Sequence, residues 1–349
     1  MAAEAAISDQ YPARRVLIPA HLGPVTPVRH WPDAKIVTLG GETMGTTWSA
    51  KLVTRGQFSA EMLRQRIADV LARVIAQMST WVEGSDIDRF NRAPAGSRHI
   101  LPREFARVVD CALALSAQTN GAYDPTIGAL VDVWGFGPRR RRSTAPGEQE
   151  IAEAHSQCGW QRLNYDREAQ RIVQPGGLHL DLSSIAKGFA VDLVADTIER
   201  LGIGNYLIEI GGELRGCGMK PDAMPWWVAL ENPGISDAPA RGADTIVALH
   251  GLSIATSGDT QRSFQCNGRT FSHSIDPRTG YPVPDRLMSV TVFHRNCMSA
   301  DALATALTIL GPDEGLDFAS GRGIAARFLS RTANGSEERV TPAFQAMLD

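Results

Sequence analysis

Tyr206-Leu207-Ile208-Glu209-Ile210-Gly211-Gly212-Glu213 is the stretch on which the fold turns. Residues 206–210 read as a strand and Gly211-Gly212 as the tight turn of a hairpin. This is not a dinucleotide-binding opening. GxGxxG with its flanking elements is absent, and Gly202-Ile203-Gly204 fails the same test. Further strands follow at Trp226 to Leu230, Thr245 to Leu249, Ser253 to Thr256, Thr270 to Ile275 and Ser289 to Phe293. Strands in successive runs, with few crossover helices, favour an α+β fold over a doubly wound sheet.

Upstream, a strand begins at Ile36, turns at Gly40-Gly41 and resumes through Met44 to Val53. Ser59 is an N-cap for a helix whose stripe is Leu63, Ile67, Val70, Leu71, Val74, Ile75 and Met78. A second helix opens at Pro102 and stops at Asn120-Gly121. Short helices are expected before Trp134 and over 148–158, short strands within 160–182, and a helix from Ile185 to Leu201. Two helices, one bearing Asp301 and one near 313–319, precede a last strand at Ile324 to Leu329. Residues 1–34, rich in proline, read as an extended N-terminal arm, and 35–349 as one domain.

The 349 residues are 43% hydrophobic and 21% charged, an ordinary globular composition. A net charge of -3 gives no bulk attraction to nucleic acid or anionic membrane. The basic run Arg139 to Arg142 lies among turn residues and reads as a solvated loop. Five dispersed cysteines form no CxxC, and their odd number excludes a fully paired framework. No apolar run is long enough for a membrane helix. Arg14-Arg15 precedes only three apolar residues before Pro19, so it is not a twin-arginine signal. The chain is therefore cytoplasmic or a trimmed exported form.

Four features carry candidate chemistry. Asp301 and Thr305 share a helix face at i, i+4, offering hard oxygen ligands to a cation such as Mg²⁺. The alternative has Asp301 capping the helix and Thr305 bonding to its i−4 carbonyl. Asp181-Leu182-Ser183-Ser184-Ile185-Ala186-Lys187-Gly188 runs from a strand into a helix start, where amides and a lysine attract phosphate. Its alternative is an N-cap at Ser183 or Ser184 and a surface lysine; no Walker A pattern is present. Trp81, Tyr123 and Trp134 sit at element ends, placed to stack on a planar ring or to fill a core. His273, within Ser272 to Pro282, stands at a strand end as a base for a hydroxyl or as a structural residue, with Asp276 orienting it or making the turn.

Taken in order, these segments resemble the ApbE family of FAD:protein FMN transferases. The resemblance runs over roughly residues 40–312, through Met44-Gly45-Thr46, Met78 to Trp81, Ser85 to Asn91, Gly121 to Thr126 and Trp134 to Gly137. It continues through Asp181 to Asp192, Gly211-Gly212-Glu213, Ser257-Gly258-Asp259, His273 to Pro282 and Asp301 to Thr305. It implies an α+β, T-fold-related architecture of mixed, largely antiparallel sheets with packed helices, and an active site in a cleft between two subdomains. It implies binding of FAD with Mg²⁺ and transfer of FMN to a Thr or Ser hydroxyl of an acceptor protein from an electron-transfer complex, releasing AMP. By position, Met44, Trp81, Ala122, Tyr123, Asp124, Asp181, Lys187 and Ile275 would line the FAD site. Asp301, Thr305 and the carbonyl of Ser184 would hold the metal, and His273 would be the base.

The chain departs from the family's pattern at Trp81, where tyrosine is common. No export signal or lipobox is visible, so a periplasmic location follows from the resemblance alone. Two further readings are an Mg²⁺-dependent FAD pyrophosphatase with water as nucleophile, and a flavin carrier without chemistry. The presence of His273 together with Asp301 and Thr305 argues against the carrier.

Overall fold

The computed structural model describes residues 15–19, 33–138, 142, 144–232, 245–258, 263–266, 269–284, 287–332 and 335–348. The strands are β1 (Arg15–Leu17), β2 (Lys35–Thr43), β3 (Thr46–Thr54), β4 (Arg98–Ile100), β5 (Asn164–Asp166), β6 (Arg171–Val173), β7 (Tyr206–Ile210), β8 (Glu213–Cys217) and β9 (Trp226–Ala229). They continue with β10 (Thr245–Leu249), β11 (Leu252–Gly258), β12 (Ser263–Cys266), β13 (Arg269–Ser272), β14 (Ile275–Asp276), β15 (Tyr281–Pro282), β16 (Leu287–His294), β17 (Ala325–Thr332) and β18 (Gly335–Val340). The helices are α1 (Ala60–Met78), α2 (Asp86–Asn91), α3 (Arg103–Gln118), α4 (Gly128–Val133), α5 (Glu148–Ser156), α6 (Ala186–Arg200), α7 (Cys297–Gly321) and α8 (Pro342–Gln345).

Among the described residues the frame is an eight-stranded sheet in the order β18-β17-β16-β11-β8-β7-β3-β2. Every neighbouring pair in it is antiparallel. Alternation along each strand sends side chains to two cores. Trp48, Ala50, Leu52, Tyr206, Ile208 and Ile210 face α1, α6 and α7. Val53, Ile254 and Phe293 face the other way, under Trp226, Val247, Leu249 and Phe344. Helix α6 is buried nearly all round, as expected of a helix apolar on every side. It lies against α1, α7 and the sheet strands β7 and β8. The mixed, largely antiparallel architecture is α+β.

Several expectations shift. Gly40-Gly41 lies inside β2 and is not a turn. The turn is Met44-Gly45, both with positive φ (50° and 72°), as a two-residue hairpin demands. Gly41 is small because the Trp48 indole crosses it: an added Cβ would lie 2.8 Å from Nε1. Neither Ser183 nor Ser184 caps α6. The Asp181 carboxylate accepts the Ser183 amide instead, at 2.8 Å. The expected strand from Thr270 to Ile275 is interrupted at His273-Ser274. The last strand is not terminal, since β18 and α8 follow it.

Helix α7 breaks at Gly311 (φ 82°, ψ 179°) before Pro312, so its two segments match the two helices expected there. In the N-terminal arm, Arg15–Leu17 pairs in parallel with β10. Residues 1–14 and 20–32 lie outside the described residues, as do 139–141 of the basic run and Asp259. Arg142 donates to Glu150 at 3.0 Å.

Candidate active site

The centre is built where α6 meets α7. Gly188, in the first turn of α6, lets the two helices touch: an added Cβ would overlap the Cys297 carbonyl and lie 2.7 Å from Asp301 Cβ. The contact diverts a hydrogen bond. The Gly188 amide, which in a continuing helix would donate to the Ser184 carbonyl, donates to Asp301 Oδ2 at 2.8 Å. The Ser184 carbonyl is left without a partner among the described residues. Asp192, one turn further along, fixes the same joint. Its carboxylate accepts the Cys297 and Met298 amides (3.0 and 2.9 Å) and Arg215 Nη1 (2.8 Å). It caps α7 from a neighbouring helix, supplying negative charge at the positive end of the dipole.

Lys187 crosses from α6 to the sheet. Its ammonium pairs with Glu213 and lies 4.0 Å from Asp301 Oδ1. Burial alone lowers its pKa, but the two carboxylates outweigh that and leave it raised, so Lys187 stays an ammonium. Burial raises the Asp301 carboxyl, against the pull of Lys187 and the Gly188 amide. Burial and the Asp301 charge push Glu213 up to about 8, with Lys187 opposing.

The Gly211-Gly212 turn closes this wall. An added Cβ on Gly211 (φ 60°) would lie 2.8 Å from Thr46 Cγ2 and 3.4 Å from Lys187 Cδ. The Met44-Gly45-Thr46 turn, the glycine pair and Lys187 thus meet. Met44 itself is half-buried.

Ser184 and Tyr123 are brought together: Ser184 Oγ donates to the Tyr123 hydroxyl at 3.0 Å. Tyr123 is 2% exposed, and burial pushes its phenol far up, so it stays neutral. Ala122 is fully buried beside it. The Asp124 carboxylate holds this loop, accepting Thr126 N (2.7 Å), Thr126 Oγ1 (2.6 Å) and Trp160 N (3.0 Å). The Asp181 amide donates to the Pro125 carbonyl at 2.8 Å. Asp181 also borders a small cavity with Thr80, Asn91 and His179. Trp81, next to Thr80, is 55% exposed. Thr305 lies one turn beyond Asp301, and its hydroxyl makes no hydrogen bond among the described residues, unlike Thr308, which bonds back to Ala304.

His273 lies between β13 and a separate hairpin, β14–β15. The hairpin is pinned by Trp134 Nε1 donating to the Gly280 carbonyl (2.9 Å) and by His155 Nε2 bonded to the Pro277 carbonyl (2.8 Å). The His273 ring meets Phe136 edge-on, with centroids 6.3 Å apart. Asp276 does not orient it. That carboxylate holds Arg278 while its carbonyl accepts the Thr279 and Gly280 amides, so Asp276 shapes the turn. The Ile275 side chain is 2% exposed and packs with Leu130, Trp134 and Ile151, while its backbone runs in β14 opposite Pro282.

Glu213 and Asp192 escaped the reading of the sequence as individual site residues. A signal for Glu213 existed: across a two-residue turn it pairs with Ile210, so it shares the core-facing side of that hairpin. Asp192 is an acid inside an apolar helix, which demands a partner.

Comparison with known proteins gives one answer. The family model described as "ApbE family" matches residues 44–328. An FAD:protein FMN transferase from Haemophilus influenzae is 36% identical over 323 residues, covering 91% of this chain and 93% of that protein. One from Vibrio cholerae is 37% identical over 316 residues, covering 90% and 93%. The crystal structure of the Pseudomonas stutzeri flavinyl transferase ApbE, apo form, superposes with a TM-score of 0.83 at 39% identity, covering 90% of this chain and 97% of that one.

Proposed function

Because this chain belongs to the ApbE family, we propose that it holds FAD across the Lys187–Asp301 centre and delivers FMN to a hydroxyl activated by His273. Transfer of FMN from FAD to an acceptor protein is its activity. The observation that carries the assignment of the centre is the hydrogen bond from the Gly188 amide to the buried Asp301 carboxylate, which leaves the Ser184 carbonyl without a partner among the described residues.

With Thr305 these donors are a carboxylate, a hydroxyl and a carbonyl, all oxygens, and they fit a hard cation that keeps waters and takes phosphate oxygens. Bound there, Mg²⁺ would neutralise charge on the pyrophosphate. Lys187 places its ammonium on the same pyrophosphate. Met44, Trp81, Ala122, Tyr123, Asp124, Asp181 and Ile275 wall the flavin and adenine ends, with Ile275 and Asp124 acting through backbone and loop shape. His273 takes the proton of a Thr or Ser hydroxyl as its oxygen bonds to the FMN phosphorus. The bond from that phosphorus to the bridging oxygen breaks, and AMP leaves. Such general-base help contributes about 10²–10⁴-fold.

The acceptor is a protein of an electron-transfer complex, and the site of action is the periplasm. Among the described residues no helix is long and apolar enough to cross a membrane. Cell fractionation tests the location. Mass spectrometry of a candidate acceptor after incubation with FAD and Mg²⁺ tests the reaction. His273→Ala should bind FAD normally and transfer at least ~10²-fold more slowly. Undiminished transfer by that variant would refute the role of His273. Steady FMN release without acceptor would show water to be the nucleophile.

A further inference from the structure

Glu213 has no part in the chemistry above, yet it is 3% exposed at the centre. Its Oε1 pairs with Lys187, and its Oε2 is buried with no hydrogen-bond partner among the described residues. An orphaned buried carboxylate oxygen is costly, so its retention needs a reason. Its position is set by two things. The turn pairs it with Ile210 on the core-facing side, and Gly211, lacking Cβ, lets the Lys187 stem lie against the turn.

Lys187 Nζ then sits 4.0 Å from Asp301 Oδ1, close enough to feel its charge and too far to hydrogen-bond. Without a competing carboxylate, a buried ammonium and carboxylate at that separation would close into a direct pair. Asp301 would then be neutralised toward a cation and Lys187 withdrawn from a phosphate.

We propose that Glu213 is a positioning residue that holds the Lys187 ammonium off Asp301, keeping the two charges separately available to one pyrophosphate and its cation. The proposal rests on the reading of Lys187 as a pyrophosphate contact and Asp301 as a cation ligand.

The test is a double-mutant cycle of Glu213→Gln and Lys187→Met in the full chain. Glutamine keeps the shape and an acceptor for Nζ, so a purely packing role would leave it unchanged. Mg²⁺ affinity is measured by calorimetry without FAD, well above pH 8, where a group pushed up to about 8 is mostly ionised. FAD binding is read by flavin fluorescence and folding by thermal unfolding.

Glu213→Gln should fold, lose about tenfold in Mg²⁺ affinity and lower kcat without raising KM for the acceptor. In the Lys187→Met background it should add nothing. Mg²⁺ affinity within about twofold of the parent, or an undiminished effect when Lys187 is already gone, would overturn the proposal. Normal FAD binding and transfer by Lys187→Met alone would instead overturn the reading of Lys187.

Discussion

Gly188→Ala is the most direct perturbation of the joint between α6 and α7. The new methyl would lie 2.7 Å from Asp301 Cβ and closer still to the Cys297 carbonyl, where ordinary contact begins at 3.4 Å. Neither obstacle is a flexible side-chain tip, so the helices must part. Over-packing of this kind costs about 1–3 kcal/mol. Parting also stretches the 2.8 Å bond from the Gly188 amide to Asp301, a charged hydrogen bond worth about 1.5–3 kcal/mol. Alanine returns about 1 kcal/mol of helix propensity.

The net loss is about 1.5–5 kcal/mol, a large part of the ~5–15 kcal/mol that holds a typical domain. Urea unfolding followed by circular dichroism measures it, with FAD and Mg²⁺ titrations in parallel. Gly204→Ala, where an added Cβ meets nothing within 4 Å, is the control and should stay within about 0.5 kcal/mol. A Gly188→Ala protein less than ~1 kcal/mol weaker than the parent, with cation affinity intact, would refute the reasoning.

The pKa of Glu213 rises from 4.5 to about 8 on folding, so the folded chain binds more protons between those values. The associated stability is fully present below pH 4.5 and is lost as pH rises to about 8, a few kcal/mol at most. Unfolding midpoints against pH should flatten over that window in Glu213→Gln, and an unchanged slope would remove Glu213 as the cause. Asp192→Ala strands two amides at the start of α7 and weakens the anchoring of Arg215; breaking such a buried pair costs about 3–5 kcal/mol. Denaturant melts check it, and a loss under ~1 kcal/mol would show that α7 needs no cap from α6.

Local signals carried much of the fold. The stripe from Leu63 to Met78 behind Ser59 gave α1, because period and cap both reside within a few residues. Strand β7 and the glycine turn after it were legible for the same reason, while the return strand β8 was not read as one. Tertiary decisions were not legible. The start of α6 is held by Asp181 and Tyr123 rather than by a serine cap. Gly40-Gly41 looked like a turn because its glycines make room for Trp48, which the sequence does not place there. Strand β18, GSEERV, is an exposed charged edge without apolar alternation, so period-2 reading passes over it. In the candidate site, the placement of Asp301 and Thr305 one turn apart on a single helix was legible from their spacing. The orphaned oxygen of Glu213 was not, since it depends on which face of a hairpin looks inward.

The order of strands in the large sheet has a kinetic consequence. β3 pairs with β7, so residues 46–54 wait for 206–210, and β11 must join β8 and β16. Contacts this distant in sequence close late and slowly. Met44, Lys187, Glu213 and Asp301 stand on four segments that become neighbours only when those pairings are complete. A chain emerging from the ribosome therefore has no cation or pyrophosphate pocket until helix α7 has been made and docked. Flavin cannot template its folding; it meets a finished protein, and added FAD should leave the refolding rate unchanged while slowing unfolding.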